Sequence, residues 1–267
     1  MAEYNRRAKP LNLWTSADLA GFNIEVVSEK DIQSFFGVSE LPTPPHISPV
    51  VWNNALAPAG PISKEEKTFF ALLQDAMQSP AGDNAAPNDL ALFLLGYLGY
   101  DDDPTRVLHT QKVTKLLICG KYVSATSDIS LLDREGHHGQ YLLLVQQDTY
   151  YSDESSETWA PLIAKAIAAF RHNSAQRRFR SPLKSQTFPA MTMLGTSVAF
   201  YKITITQALA DAVMSGIFPE ETTFVYEFQP SLNLRSPDAG MVTVENRRVL
   251  LKCFEAFKRL IVVPHCE

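Results

Sequence analysis

Residues 127–149 read SDISLLDREGHHGQYLLLVQQDT and contain the clearest strand signals of this chain. Residues 127–132 and 141–147 are short runs typical of strands, and the polar segment between them contains Gly-His-His-Gly at 136–139. Two such runs joined by a glycine-containing turn predict neighbouring antiparallel strands. A third run, Val113–Cys119, precedes them, so the middle of the chain is predicted to form a sheet.

Helical patterns lie on both sides of this predicted sheet. Ser63, followed by acidic residues, is typical of a helix N-cap, and a second helix, Leu90–Tyr97, is predicted to start after Asn88 or Asp89. The other predicted elements are a strand at 22–27, helix Thr158–Arg171, strand Phe200–Ile205, helix Gln207–Met214, strand Thr223–Phe228 and helix Glu245–Val262. Helices alternating with strands in this way indicate a layered α/β or α+β domain.

Composition limits the classes of protein to which the chain can belong. With 267 residues and 45% hydrophobic content it can bury a full core, and its net charge of -5 excludes a polybasic protein. The start has no secretory signal and no apolar run is long enough for a membrane span, so a cytoplasmic or nuclear location without membrane contact is expected. Three cysteines without CxxC spacing fit reduced thiols there.

Two regions are predicted along the chain. Residues 1–62 contain a proline-rich connector and are expected to wrap the core, whereas residues 63–267 are expected to form one domain.

Several motifs carry a resemblance to known proteins. The segments LICGKYVSATSDISLLD, YLLLVQQDT, PLIAKAIAAF, MTMLGTSVAFYKI and ENRRVLLKCFEAFKR resemble those of a large group of fungal, mostly basidiomycete, proteins. The central part of that group is similar to the PD-(D/E)xK, restriction-endonuclease-like superfamily. The resemblance covers residues 63–262 and implies a restriction-endonuclease-like mixed sheet flanked by helices.

The resemblance also implies where a nuclease site would lie. Asp128 matches the superfamily's first aspartate, and the Glu-x-Lys motif falls on Gln147, Asp148 and Thr149. In active members the carboxylates hold Mg²⁺, which activates water. Here an amide replaces a carboxylate and a hydroxyl replaces the lysine. The relatives' helix glutamate falls on Asn84.

These replacements favour a catalytically degenerate protein that binds a nucleic acid, a protein or a small ligand and needs no cofactor. An alternative is a Mg²⁺-dependent nuclease or phosphodiesterase with Asp128 as a metal ligand and Asp148 or Glu154 as displaced ligands. Asp148 would face away from Gln147 on a regular strand, so this needs a bulge. A third hypothesis is unrelated chemistry at the same cleft, with Asp128, Tyr150 or the adjacent histidines as acid-base groups.

A basic run follows the predicted helix that ends near residue 171. Residues 171–184 could contact nucleic acid, and the candidate binding residues there are Arg171, Arg177, Arg178, Arg180 and Lys184. Tyr150, next to the positions that match the nuclease motif, is a further candidate binding residue. The helix dipole offers a structural alternative, because cations are favoured at a helix C-terminus. Arg247 and Arg248 are expected on the solvated face of the last helix.

Overall fold

A seven-stranded mixed sheet forms the centre of the molecule, with strand order β1-β7-β6-β5-β4-β3-β2. The computed structural model describes residues 7–80, 85–135, 139–147, 159–177, 183–232 and 240–263. The strands are β1 Ile24–Ser28, β2 Arg106–Ile118, β3 Lys121–Asp133, β4 Gln140–Gln147, β5 Ser185–Leu194, β6 Ser197–Thr206 and β7 Thr223–Phe228. The prediction of a mixed α/β domain is therefore confirmed.

Helices cover both faces of the sheet. They are α1 Ser16–Gly21, α2 Ile32–Phe36, α3 Pro49–Asn53, α4 Lys64–Gln78, α5 Ala85–Tyr97, α6 Trp159–Ala175, α7 Gln207–Ser215 and α8 Val244–Lys258, with a short 3-10 helix at Leu11–Leu13. One apolar cluster packs helices α2, α3, α4, α5 and α8 on one face of the sheet. A second cluster packs α6, α7 and the N-terminal helices on the other face. No helix of the described ranges is long and apolar enough to span a membrane.

Local sequence signals account for several helix ends. Ser63 caps α4 as predicted: its hydroxyl accepts the Glu66 N–H, while the Glu66 carboxylate accepts the Ser63 N–H. The predicted start of α5 is wrong, because the helix begins at Ala85 rather than Leu90 and contains Pro87 in its first turn. Proline is tolerated there because the first helical N–H groups have no partner within the helix. The last helix ends at Lys258 rather than Val262.

The hairpin between β2 and β3 was not predicted as one unit. Its two long antiparallel strands meet at Cys119 and Gly120, whose φ values are 48° and 76°. Positive φ at both central residues is the geometry of a type I′ turn, which matches the twist of the flanking strands. The tip is fastened to α7, because the Cys119 and Gly120 N–H groups donate to the carbonyls of Val213 and Met214 at 3.1 and 3.0 Å.

Strand β5 was missed in the sequence because Pro189 interrupts an apolar run. Proline cannot donate to a strand partner, and it therefore argues against a central strand. The pairing of β5 with β4 begins at Ala190, one residue later, so Pro189 lies at the margin of that pairing.

The N-terminal residues are joined to the sheet and to the last helix. Strand β1 pairs in parallel with β7. The expectation that Arg247 lies on a solvated face is wrong: its side chain is 0% exposed and donates to main-chain carbonyls, including those of Val51, Asn54 and Ala55. The guanidinium also lies 5.1 Å from the Phe69 ring centroid. Arg247 thus connects α8 to the segment after α3.

Candidate functional site

The candidate site lies where β3 and β4 separate. Their pairing runs as far as Ile129 opposite Val145 and does not extend to Gln147, which pairs with Met193 of β5 instead. On the other side of β3, Gln111 has a φ of 52° and falls opposite Asp128, between two regular pairs of β2 and β3. We call this separation the fork.

At the fork, the side chain of Asp128 contacts the main chain of Gln147. The Oδ2 atom of Asp128 accepts the Gln147 N–H at 3.0 Å, which replaces the strand partner that this N–H lacks beyond Val145. A carboxylate that accepts a backbone N–H is a common structural device. Asp128 therefore has a structural task whatever else it does.

The side chain of Gln147 extends toward α5. Its Nε2 atom donates to the Pro87 carbonyl at 3.3 Å, and the residue is 5% exposed. The position at which the sequence resemblance predicts a carboxylate is thus occupied by an amide that donates to a carbonyl. An ionised carboxylate could not make this contact because it has no proton to donate.

Lys165 places a cation near enough to Asp128 for the two charges to interact, and the sequence analysis did not anticipate this. It lies in the middle of α6, is 5% exposed, and forms no ion pair or hydrogen bond among the described residues. Burial lowers the pKa of Lys165, whereas the negative charge of Asp128 raises it. A lysine with apolar neighbours inside PLIAKAIAAF was the available signal, because lysine is rarely buried without a partner.

Asn173 fixes α6, and therefore Lys165, against the sheet. Its side chain is fully buried and forms two hydrogen bonds with the main chain of Tyr141, at 2.8 Å to the N–H and 2.9 Å to the carbonyl. It also donates to Gln186 of β5. One amide thus holds the helix to two neighbouring strands.

Several buried polar atoms around the fork have no hydrogen-bond partner in the described part of the chain. They are the hydroxyls of Ser127 and Ser130 and the side-chain carbonyls of Gln146 and Gln147. Buried polar atoms are nearly always paired in folded proteins, because leaving one unpaired costs about 1–3 kcal/mol. Of these residues, Ser130 and Gln146 alternate with residues that pack on the α5 face, so their side chains are directed to the α6 face, where Lys165 lies, whereas the Gln147 side chain is directed to α5.

The described residues of the fork do not fit a magnesium ion. Magnesium prefers several oxygen ligands that carry negative charge. Asp128 supplies one carboxylate, which already accepts an N–H, and the Lys165 ammonium adds positive charge nearby. Nowhere in the described ranges do three His, Cys, Asp or Glu side chains group together in a way that could hold a metal.

The basic run is not a free patch where the structure describes it. Arg171 lies on α6 and forms an ion pair with Asp211 of α7 at 3.1 Å. Arg177 is buried just beyond the end of α6, whereas Lys184 is exposed before β5. The first two arginines therefore take part in the packing of the fold.

Other predicted site residues lie outside the described residues. They are Asn84, His137, His138, Asp148, Thr149, Tyr150, Glu154, Arg178 and Arg180. Their roles stay predictions from the sequence.

Comparison with known proteins adds no family assignment. No protein-family model matches the chain, and a search of curated proteins finds no match.

Proposed function

We propose that this chain is a catalytically degenerate, nuclease-like binding protein, and that its fork binds a phosphate-bearing ligand without hydrolysing it. The observation that carries the proposal is Lys165, which is 5% exposed, has no ion pair within the described residues, and interacts electrostatically with Asp128. The sequence resemblance to the PD-(D/E)xK superfamily supplies the class of ligand.

The charge balance of the fork favours an anion. Removing an ammonium group from water is costly unless an opposite charge and hydrogen bonds replace the lost hydration. Asp128 offsets part of this cost, but one of its oxygens accepts the Gln147 N–H. A phosphate group would add negative charge at Lys165, and charge-assisted hydrogen bonds to phosphate are among the stronger ones.

The amide and hydroxyl groups near the fork support the same ligand. Ser127, Ser130 and Gln146 have buried polar atoms without partners in the described residues. Serine hydroxyls can donate to phosphate oxygens, while glutamine can satisfy a ligand hydroxyl or amine. Their pairing with a ligand would remove the cost of leaving them unpaired.

Hydrolysis, unlike binding, requires groups that stabilise the negative charge developing in the transition state. Loss of a single such donor typically costs about 10²–10³ in rate. By the resemblance, Gln147 and Thr149 replace a carboxylate and a lysine together. The proposal is therefore binding without cleavage.

A titration followed by NMR tests the proposal. With ¹³C-labelled lysine, addition of inorganic phosphate or a nucleoside monophosphate is expected to shift the Lys165 side-chain resonance and raise the pKa of that amine. Lys165→Met should lose the ligand, and Lys184→Met, which removes an exposed lysine, should retain it. Unchanged binding in Lys165→Met, or no binding to the wild type, would overturn the proposal.

A cleavage assay separates binding from the phosphodiesterase alternative. Single- and double-stranded DNA and RNA are incubated with the protein in Mg²⁺ or Mn²⁺, alongside Asp128→Asn. No cleavage is expected. Metal-dependent cleavage that disappears in Asp128→Asn would contradict the proposal and support the nuclease alternative.

A further inference from the structure

A groove of about 650 Å³ lies between α7, the loop that follows it, and strands β6 and β7. Its floor is formed by Thr204 and Thr206 of β6 and by Phe224 and Tyr226 of β7. Pockets for small molecules commonly have volumes of about 300–1,000 Å³. The groove is therefore large enough for one ligand of that class.

The aromatic rings of the floor are exposed although β7 is an inner strand of the sheet. Phe224 is 46% exposed and Tyr226 is 41% exposed, whereas Val225 between them is buried in the apolar cluster around α6. On β6 the same floor carries Thr204 and Thr206. Threonine favours strands as phenylalanine and tyrosine do, so strand formation does not require aromatic rings at 224 and 226.

The wall of the groove begins at the C-terminal end of α7. The N–H groups of Gly216 and Ile217 donate to the carbonyls of Val213 and Ala212 at 3.4 and 3.0 Å. This is a Schellman motif, and its glycine has a φ of 71°, where a Cβ atom would be unfavourable. The motif directs Ile217 into the lining of the groove, where its side chain is 63% exposed.

Asn23 fastens the other end of this loop. Its side-chain amide donates to the Pro219 carbonyl at 3.1 Å and accepts from the Thr222 hydroxyl at 3.1 Å. Its main-chain carbonyl accepts the Thr223 N–H at 2.9 Å. The loop at 217–222 is therefore held at both ends, and a ligand would not have to order it.

The rim of the groove is acidic. Among the described residues, its lining includes Asp211, Glu220 and Glu221 but no lysine, arginine or histidine. Asp211 is paired with Arg171, whereas Glu220 and Glu221 are exposed and form no ion pair in the described ranges. Two adjacent carboxylates on a fixed loop repel each other, and a cation between them and the apolar floor would offset this repulsion.

One cation of the chain already lies on an aromatic ring of the floor. The Lys202 ammonium is 5.7 Å from the Tyr226 ring centroid and 4.9 Å from that of Phe35, and it donates to the Ser34 carbonyl at 3.0 Å. Its charge disfavours a second cation at that end of the groove. Phe224 lies between Tyr226 and the acidic loop along the chain, so a ligand cation fits best over Phe224.

We propose that this groove binds a small organic cation with an apolar body, namely an ammonium compound that carries an aryl or alkyl group. The apolar body lies on Phe224 and Ile217, and the ammonium group lies beside Glu220 and Glu221. Apolar contact, attraction to the aromatic face and charge pairing then act on one ligand. A second copy of this chain fits less well, because its net charge of -5 opposes the acidic rim.

The site is independent of the fork. It is formed by β6, β7, α7 and the loop between α7 and β7, and it takes a ligand of opposite charge. Lys165→Met should therefore leave binding of the cation within about twofold of wild type. The failure of one proposal can thus be distinguished from the failure of the other.

Isothermal titration calorimetry with three matched probes tests the inference at neutral pH. Phenylbutylamine, phenylbutanol and phenylbutyrate share one apolar body and differ in the charge of the head group. The protonated amine should bind at least about tenfold more tightly than the alcohol or the acid. Equal affinity for the three probes, tighter binding of the acid, or no binding of the amine would overturn the inference.

Variants of the rim and the floor separate the two contributions. Glu220→Gln/Glu221→Gln should reduce the affinity for the amine to about that for the alcohol, which should be unchanged. Phe224→Ala should weaken both probes by about tenfold, whereas Phe224→Leu should weaken the amine more than the alcohol because only the ring attraction is lost. Thermal unfolding identifies a variant that has lost its fold, and the amine-to-alcohol ratio of Phe224→Leu then decides.

A matched control removes the same charge elsewhere. Glu65 and Glu135 are exposed and do not line the groove, so Glu65→Gln/Glu135→Gln should bind the amine as wild type does. Equal losses in the two double variants would contradict a local site.

Other occupants of the groove are distinguished by two further measurements. Self-association by light scattering that disappears in Phe224→Ala would show a contact between copies of the chain and contradict the inference. Binding of an amphipathic peptide of lysine and leucine without binding of the amine would assign a protein partner and also contradict it. With ¹³C-methyl isoleucine, the amine should shift the Ile217 resonance, and an unchanged Ile217 resonance would place the ligand elsewhere.

Discussion

Lys165 is both buried and ionisable, so it makes the free energy of unfolding depend on pH. Its pKa in the folded protein is lowered from 10.5, chiefly by burial. In the pH range between the folded value and 10.5 the unfolded chain binds more protons, so stability increases as pH rises through that range. Below the range, protonation of Lys165 in the folded state costs free energy.

Lys165→Met should therefore stabilise the ligand-free protein at pH 7, by on the order of 1 kcal/mol. The variant should also lose the increase in stability that wild type shows toward pH 10. Urea unfolding at several pH values measures both effects, with Lys184→Met as a control for an exposed lysine. An identical pH dependence in wild type and Lys165→Met would contradict this reading.

Arg247 shows how a sequence pattern can mislead about a single residue. An arginine pair in an amphipathic helix is typical of a solvated face, yet this side chain donates to five main-chain carbonyls. Burial lowers the pKa of Arg247 to about 10, so it stays protonated at neutral pH. Several donors in a fixed planar arrangement are a property of arginine that lysine lacks.

Arg247→Lys should destabilise the protein by about 2 kcal/mol, and Arg247→Met by about 3 kcal/mol or more, because buried carbonyls lose their donors. Chemical denaturation gives both values. Arg248→Lys is the matched control, because Arg248 donates to the Trp52 carbonyl and to Asn53 nearer the surface. This variant should lower the free energy of unfolding by about 1 kcal/mol or less. Similar losses at the two positions would show that Arg247 has no special role.

The end of β4 is held by hydrogen bonds to two neighbouring elements, β3 and α5. Asp128 of β3 accepts the Gln147 N–H, and the Gln147 side chain donates to Pro87 of α5. The amide thus joins the strand to a helix on one face of the sheet. A glutamate at this position would remove a donor and place a negative charge against the Pro87 carbonyl.

Gln147→Glu should lower the free energy of unfolding by about 2 kcal/mol or more at pH 7. The loss should become smaller as pH falls, because a protonated carboxyl can donate to the Pro87 carbonyl again. Gln147→Met, which fills similar space without charge, should lose less at pH 7. Thermal unfolding from pH 4 to 8 tests this, and an unchanged stability of Gln147→Glu at pH 7 would count against the Pro87 contact.

Elements with strong local signals were predictable from the sequence, and those that depend on distant partners were not. The α4 cap and the β7 bounds, Thr223–Phe228, follow from side-chain chemistry within a few residues. Strand β5 was not predicted because it contains Pro189, which has no N–H to donate to a neighbouring strand. The proline is tolerated because the pairing of β5 with β4 begins only at Ala190. The proximity of Lys165 to Asp128 depends on how α6 packs on the sheet, which no local pattern specifies.

Strand β1 is the edge strand on one side of the sheet. It comes from the N-terminal region and pairs with β7, while Arg247 ties residues 51–55 to α8. Removal of β1 would leave one edge of β7 unpaired, while β6 would still pair with the other edge. Exposed strand edges of this kind promote association between chains.

Deletion of residues 1–30 should therefore lower the thermal unfolding midpoint and cause association, detectable by size-exclusion chromatography with light scattering. Deletion of residues 2–6 is the control and should leave both properties unchanged. A monomeric protein with a wild-type midpoint after the longer deletion would contradict an essential role for β1.

The strand order has a consequence for the making of the protein in a cell. From β2 to β7, each strand lies beside the one before it in the sequence, so this part of the sheet can grow as the ribosome releases it. Strand β1 is synthesised first, yet its neighbour is the last strand to emerge. The segment that carries β1 must therefore remain without its strand partner until β2 to β6 and then β7 have been translated.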